Sequence, residues 1–193
     1  MQDIDHLKML VNQFHELPEG DWQALSEIWM SFEAGRKETI TSMGSKEKYL
    51  YFVIDGVQRV YYYDEQGHEA TILFMYAPSF GGVLDSFLLQ MPSKYYYETI
   101  TPSRFLRAGY QELENLMRTR HHIETMIRKG LSRTLSGLLE RMVEIQCFSS
   151  EEKFTSLLKR SPHILQLVPH KYLASYLGID ATNFSKLMNK VRI

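Results

Sequence analysis

The stretch YLYFVIDGVQRVYYY, residues 49–63, decides the fold class of this chain. It is rich in β-branched and aromatic residues, and Asp55-Gly56 divides it into two similar halves. Such residues favour strands, and an Asp-Gly pair between two apolar runs is a strong hairpin signal. The stretch therefore predicts two antiparallel strands joined by a tight turn.

The same strand-like pattern continues on both sides of this stretch, from about residue 38 to residue 109. Short apolar runs alternate there with turn residues, among them Gly67, Pro78 and the pair Gly81-Gly82. So many short strands with few helices must close on themselves or stack. Residues 5–31 have a helical pattern with a break at residues 17–21. We predict an α+β fold with an N-terminal antiparallel β-roll or jelly roll and flanking helices.

A long helix is predicted after the strands, from about residue 111 to residue 146, because this stretch contains no proline. Its apolar residues recur at spacings of 4, 4, 3, 4 and 3, which is close to the alternating pattern of a coiled-coil seam. This pattern predicts a homodimer, and the alternative is a helix packed on its own roll. The seam residues are Ile127, Leu131, Leu135, Leu138, Met142 and Ile145.

The composition narrows the class of protein. Of 193 residues, 44% are hydrophobic, and only one is a cysteine, Cys147, which excludes an internal disulfide and a cysteine-based zinc site. The N-terminal residues show no signal peptide, and no apolar run approaches the roughly 20 residues that cross a bilayer. We therefore expect a cytoplasmic protein with no membrane partner, and we expect neither a metal nor a cofactor.

The last forty residues contain the sharpest pattern. Val168-Pro169 precedes a helical stretch that ends at Gly178, and Asp180 is suited to cap the helix that follows. Helix, glycine turn and helix form the helix-turn-helix arrangement, whose second helix enters the major groove of DNA. A helical hairpin with a solvated polar face is the alternative.

The charge distribution supports a polyanionic partner. Residues 151–193 carry seven basic and three acidic side chains, whereas the other 150 residues carry 15 and 20. We therefore expect double-stranded DNA to contact the exposed polar residues of this region, since such groups suit base edges and phosphates. These residues are His170, Lys171, Thr182, Asn183, Ser185, Lys186 and Asn189.

The order of roll, long helix and helix-turn-helix resembles the Crp/Fnr family of bacterial regulators. The run 50–67 resembles the cyclic-nucleotide-binding roll of that family, and residues 170–189 resemble its helix-turn-helix. Phe80-Gly81-Gly82 falls where the phosphate-binding cassette of the family begins. The resemblance implies a ligand pocket in the roll. Its expected residues are Phe80, Gly81, Gly82, Lys94 and Tyr95.

Two departures from the family make cyclic AMP an unexpected ligand. Gly82 stands where the family has the glutamate that holds the ribose, and Lys94 is the only cation in the stretch expected to supply the phosphate-binding arginine. A lysine lacks the bidentate fork of an arginine. The roll is therefore expected to bind an unidentified effector or none.

The second helix of the helix-turn-helix, which would read the DNA, also departs from the family. Ala181 and Thr182 stand where the family commonly has an arginine and a glutamate. The preferred DNA sequence should therefore differ from that of the family.

We predict three parts: a sensor domain at 1–110, a dimerisation helix at 111–147 and a DNA-binding domain at 148–193. The predicted function is transcription regulation. One alternative is a ligand-binding or protein-interaction module with a vestigial helix-turn-helix. The other is a metal enzyme built on the roll, which the sequence disfavours because His68 is the only histidine in the roll. We therefore expect no catalytic residues.

Overall fold

A computed structural model describes residues 3–190 of the chain. The N-terminal helices α1 (Asp3–Phe14) and α2 (Glu19–Glu27) precede the strands β1 (Trp29–Ala34), β2 (Thr39–Thr41), β3 (Tyr49–Asp55), β4 (Val57–Tyr63), β5 (Glu69–Tyr76) and β6 (Ser79–Gly81). Helix α3 (Leu84–Leu89) separates them from β7 (Tyr96–Thr99) and β8 (Ser103–Gly109). The chain continues through α4 (Tyr110–Thr119), α5 (His121–Cys147), α6 (Ser150–Arg160), α7 (Ile164–Leu167), α8 (His170–Leu177) and α9 (Ala181–Lys190).

The strands form two four-stranded sheets, in the orders β1-β8-β3-β6 and β2-β7-β4-β5. Strand β8 pairs antiparallel with both β1 and β3, and β3 pairs antiparallel with β6. Asp55-Gly56 forms the predicted turn between β3 and β4, and Gly56 has a φ of 89°. A residue with a Cβ is strained in that conformation, which explains the glycine. The predicted α+β fold with antiparallel strands is confirmed.

The first sheet has two different faces because neighbouring side chains of a strand point to opposite sides. One face packs on the helices and forms the main apolar core. This core comprises Leu7, Val11, Leu17, Trp22, Leu25, Leu50, Phe52, Phe87, Leu106, Leu113, Ile123 and Met126. The other face carries Tyr51 and Phe105, whose rings lie 5.5 Å apart. We call this second side the roll interior.

Two boundaries and one helix differ from the sequence prediction. The helical pattern predicted to residue 31 ends at Glu27, and β1 begins at Trp29. The predicted single helix is divided at Arg120, which has an extended backbone with φ −133°. Arg120 Nη1 donates to the carbonyl of Gly20 (3.3 Å) and to Asp21 Oδ1 (2.8 Å), so contacts with α2 accompany the break. The short helix α3 was not predicted.

The described residues form two compact units. The first contains residues up to 60 together with 74–134, and the second contains 61–73 together with 135–190. The boundary between these two units falls within α5, and the division into three parts at 110 and 147 stays a prediction. The predicted domains also include residues 1–2 and 191–193, which lie outside the described residues. Between residues 3 and 190, no helix is both long and apolar enough to cross a membrane.

Candidate functional sites in the roll and the C-terminal helices

The turn between α8 and α9 has the geometry that the sequence predicted. Gly178 is left-handed, with φ 64° and ψ 38°, and its N–H donates to carbonyls at the end of α8. Ile179 N–H also donates to the carbonyl of Ala174 over 3.1 Å. Asp180 then caps α9, because its Oδ1 accepts a 2.8 Å hydrogen bond from the N–H of Asn183. A glycine C-cap and an aspartate N-cap thus fix a sharp turn.

The second unit has its own apolar core, which holds the two helices together. Leu173 and Leu177 of α8 are fully buried, and Phe184 of α9 is only 1% exposed. The ring of Phe184 meets the ring of Phe154 of α6 edge to face, with centroids 5.5 Å apart. The apolar positions of α9 thus face inward, which leaves its opposite side for contacts outside the unit.

The outer side of α9 is a polar stripe formed by Thr182, Ser185, Lys186 and Asn189, all exposed. Their spacing of three, four and seven residues places them on one face of the helix. His170 and Lys171 are exposed at the start of α8. Hydroxyl, amide and ammonium groups in this arrangement can hydrogen-bond base edges and pair with phosphates.

Asn183 differs from its predicted place on this stripe. It is half-buried, and its amide Nδ2 donates to the Ser150 hydroxyl over 3.1 Å. The reason is periodicity, since residue 183 lies one turn before buried Leu187. The side chain therefore connects α9 to the start of α6, and its predicted exposure on the outer face of α9 is corrected. Lys190 also connects α9 to α6, through an ion pair in which its Nζ lies 2.5 Å from Glu151 Oε2.

The second half of α5 exposes apolar side chains along the predicted seam. The exposed fractions are Leu131 37%, Leu135 56%, Leu139 53%, Met142 54%, Val143 53% and Ile145 47%. Leu138 is half-buried. Leu139 and Val143 were not predicted, and they make the exposed face wider than a simple coiled-coil stripe. Ile127, in contrast, packs against the apolar core of the first unit, so that end of the predicted seam is corrected.

The opposite side of this half of α5 is anchored inside the second unit. Glu144 accepts hydrogen bonds from Arg160 Nη1 (2.6 Å) and Ser156 Oγ (2.7 Å), and Arg141 Nη1 lies 3.4 Å from its carboxylate. Arg141 also donates to the carbonyl of Tyr176 in α8. Burial raises the pKa of Glu144, but the hydrogen bonds from Arg160 and Ser156 outweigh it and lower that pKa overall. The Glu144 carboxylate thus links α5 to α6, and the neighbouring Arg141 links α5 to α8.

In the roll, the glycines of the predicted cassette leave room for side chains from other strands. A Cβ at Gly81 would lie 2.7 Å from the Tyr97 hydroxyl. Gly82 has a φ of 107°, and a Cβ there would lie 3.3 Å from the Tyr51 ring and 3.5 Å from Glu47 Oε2. At Gly81 the Tyr97 hydroxyl occupies the space that a side chain would need, whereas at Gly82 the positive φ favours glycine.

Glu47 is the carboxylate nearest to the position that Gly82 leaves vacant, and it is 1% exposed. Its Oε2 accepts from Thr41 Oγ1 (2.7 Å) and from the N–H of Val83 (3.3 Å). Its Oε1 accepts from the N–H groups of Lys48 (3.0 Å) and Tyr49 (3.3 Å). Burial raises the pKa of Glu47 against these bonds. With four donors already bound, Glu47 holds the cassette turn to β3 rather than a ligand.

The predicted pocket residues do not all lie in the roll interior. Phe80 belongs to the helix-facing side, where its ring lies 6.0 Å from that of Phe52 and 6.1 Å from that of Phe14. Lys94 is exposed in the turn before β7, and Tyr95 beside it is half-buried. Gly81 and Gly82 border the interior, beside Tyr97 and Tyr51 respectively. Arg107 of β8, which the sequence analysis did not single out, lies there instead.

No cluster of three or more potential metal ligands occurs among residues 3–190. The nearest approach of histidines is His15 Nε2 to His122 Nδ1, 3.1 Å apart. Lys129 Nζ lies 3.3 Å from the other nitrogen of His15, and burial followed by this charge lowers the pKa of His15.

Comparison with known proteins connects these observations. Residues 30–120 match the protein family described as cyclic nucleotide-binding domain. FixK2 from Bradyrhizobium japonicum superposes with a TM-score of 0.75 at 13% identity, covering 84% of each chain. Residues 30–120 are thus similar to cyclic nucleotide-binding domains, and the chain has the fold of Crp/Fnr regulators. The fold predicted from the resemblance is thereby confirmed.

Two further structures share this Crp/Fnr fold. The c-di-GMP-responsive global regulator CLP of Xanthomonas campestris has a TM-score of 0.67 at 16% identity, covering 90% of this chain and 91% of its own. A protein from Eubacterium rectale that is described as a transcriptional regulator of the Crp/Fnr family has a TM-score of 0.70 at 13% identity, covering 91% and 83%. No curated protein matches by sequence. At such low identities the likeness concerns the fold alone.

Proposed function

We propose that this chain is a DNA-binding transcription regulator of the Crp/Fnr type. The observation that carries the proposal is the pair α8 and α9, joined by a left-handed Gly178 and capped by Asp180, with a polar stripe on the outer side of α9. The second helix of such a pair lies in the major groove. The excess of basic residues in 151–193 supports a polyanionic partner.

The residues of the stripe divide into two roles by their chemistry. Thr182, Ser185 and Asn189 carry hydroxyl or amide groups, which contact base edges in the major groove. Lys186 at the centre of the stripe and Lys171 at the start of α8 supply charge for phosphates. His170 adds a donor beside Lys171. Asn183 supports the stripe through Ser150 without contacting a base.

The DNA-binding form is a homodimer that pairs through α5. Leu135, Met142 and Leu139 are each more than half exposed in the single chain, which is unusual for consecutive turns of one helix. Burying this face against a second copy removes it from water and places two recognition helices in one assembly. Two such helices suit half-sites about 34 Å apart along the DNA. The proposed setting is the cytoplasm.

The roll acts as the sensor, and the protein is not an enzyme. Gly82 provides no carboxylate for a ribose, and Glu47 beside it is already satisfied by four donors. Cyclic AMP is therefore not the effector. A module with a vestigial helix-turn-helix remains the second candidate, favoured by one observation: Ala181 and Thr182 replace the family's arginine and glutamate.

Fluorescence anisotropy across salt concentrations tests the proposed interface. Lys171→Ala should weaken binding to all DNA sequences and reduce the salt slope by about one unit, because one phosphate contact is lost. Asn189→Ala should instead change which sequences bind best, at a cost of about 1–3 kcal/mol on the preferred site. Lys94→Ala, which removes an exposed cation from the roll, is the matched control and should change neither quantity. Equal losses from all three variants would contradict the assignment.

A further inference from the structure

Arg107 is held in a fixed position in the roll interior. Its guanidinium carbon lies 4.3 Å from the ring centroid of Phe32 and 4.3 Å from that of Tyr49. A planar guanidinium stacks favourably between two such rings, and this arrangement leaves its edge nitrogens free to donate in the plane. The residue is half-buried. Two strands of the sheet thus position the cation before any ligand arrives.

The charge of Arg107 has no counterpart in the described chain. Between residues 3 and 190, its buried Nε has no hydrogen-bond partner, and no ion pair involves its guanidinium. Glu47 does not serve, because its two oxygens already accept four hydrogen bonds. The side chain is only half-buried, but its Nε is shielded from water, and a buried donor without a partner costs stability. An anion would supply the acceptor that the Arg107 Nε–H lacks.

A second unsatisfied donor lies in the same aromatic cluster. Tyr97 of β7 is fully buried, and within the described part its hydroxyl has no hydrogen-bond partner. Its ring lies 5.5 Å from the ring of Tyr51, which also lies 6.0 Å from that of Phe32. Burial keeps the Tyr97 hydroxyl protonated by raising its pKa well above the usual value. It is therefore a donor, set among apolar rings.

We propose that the roll interior binds a small organic anion, a phosphate or a carboxylate on an apolar body, with Arg107 as the pairing cation and Tyr97 as a hydrogen-bond donor. The binding group comes from β8, which follows the cassette, whereas Lys94 in the stretch expected to supply it is exposed. The aromatic rings receive the apolar body. The inference rests on the proposed sensor role of the roll and not on DNA binding.

Titrations with inorganic phosphate and with benzoate test the site and separate the two anion chemistries. The readout is the arginine Nε–H signal of Arg107 in the full-length protein, assigned by its disappearance in Arg107→Lys. At least one probe should shift this signal saturably at millimolar concentration. Arg107→Lys should weaken binding of that probe, measured calorimetrically, about tenfold, since a lysine cannot form the bidentate pair. Arg104→Lys, on the same strand but paired with Asp3, is the control and should bind normally.

Further variants keep the test decisive. Tyr97→Phe retains the ring and removes only the hydroxyl, so it should fold and bind the probe severalfold more weakly. A variant lacking both Lys171 and Lys186 should lose DNA affinity yet keep the anion response, which separates this site from the DNA interface. The proposal is overturned if neither probe shifts the Arg107 signal, if Arg107→Lys binds as well as wild type, or if the response disappears with the two lysines.

Discussion

Introducing aspartates at Leu135 and Met142 should convert the protein from a dimer into a monomer. Both side chains are more than half exposed on the same face of α5, so the substitutions disturb little packing within the single chain. Burying a leucine or methionine contributes about 1.5–3 kcal/mol, and four apolar side chains change per dimer. The unpaired carboxylates would in addition be costly to bury.

Sedimentation or light scattering at micromolar concentration measures this change. The mass should fall from twice the chain mass of 22.7 kDa to the chain mass itself. Gly137→Asp introduces the same charge on the far side of the helix, where a Cβ would have no neighbour within 4 Å, and should remain dimeric. A monomeric wild type, or a double variant that stays dimeric, would show that α5 does not form the interface.

Removing the carboxylate of Glu144 should destabilise the second unit by about 3 kcal/mol. Breaking a buried ion pair by deleting one partner is costly because the other charge stays behind. In Glu144→Ala, Arg141 and Arg160 would both lose their carboxylate, and the link between α5 and α6 would be broken. Denaturant unfolding measures the loss. Glu140→Ala, an exposed glutamate one turn earlier, is the control and should change stability by less than about 0.5 kcal/mol.

The pH dependence of this loss follows from the lowered pKa of Glu144 in the folded protein. A group with a depressed folded pKa stabilises the protein fully above its unfolded pKa, which is about 4.3 for glutamate. That contribution disappears as the pH falls through the lower folded value. The stability difference between wild type and Glu144→Ala should therefore be constant near pH 7 and shrink in acid. A difference that grows in acid would contradict the assigned network.

Local sequence signals predicted most of the fold. The turn at Asp55-Gly56, the cap at Asp180 and the left-handed Gly178 are each fixed by the chemistry of one or two residues. The break at Arg120 escaped prediction because no proline or glycine marks it, and its contacts are with distant α2. Strand β1 escaped for the same reason, since its six pairs with β8 join residues far apart in sequence.

Of the candidate sites, too, the one that depends on local sequence was predicted, and the one that depends on distant contacts was not. The stripe on α9 follows from helical periodicity, and only Asn183, at the edge of the apolar face, was placed wrongly. The roll interior depends on which strands face one another, which periodicity alone does not specify. Arg107 looks like any strand cation in the sequence, and only the positions of Phe32 and Tyr49 distinguish it. Phe80 was assigned to the pocket, whereas the pleat of the sheet directs it to the helices.

The central claim is that the protein binds specific double-stranded DNA as a dimer through α9. Selection of binding sites from random duplex DNA by the full-length protein, at physiological salt, tests it most directly. We predict enrichment of a twofold-symmetric motif with half-site centres about 10 base pairs apart, and loss of that enrichment in the Leu135→Asp/Met142→Asp variant. A selected pool with no enriched sequence, or one that the monomeric variant reproduces, would contradict the account.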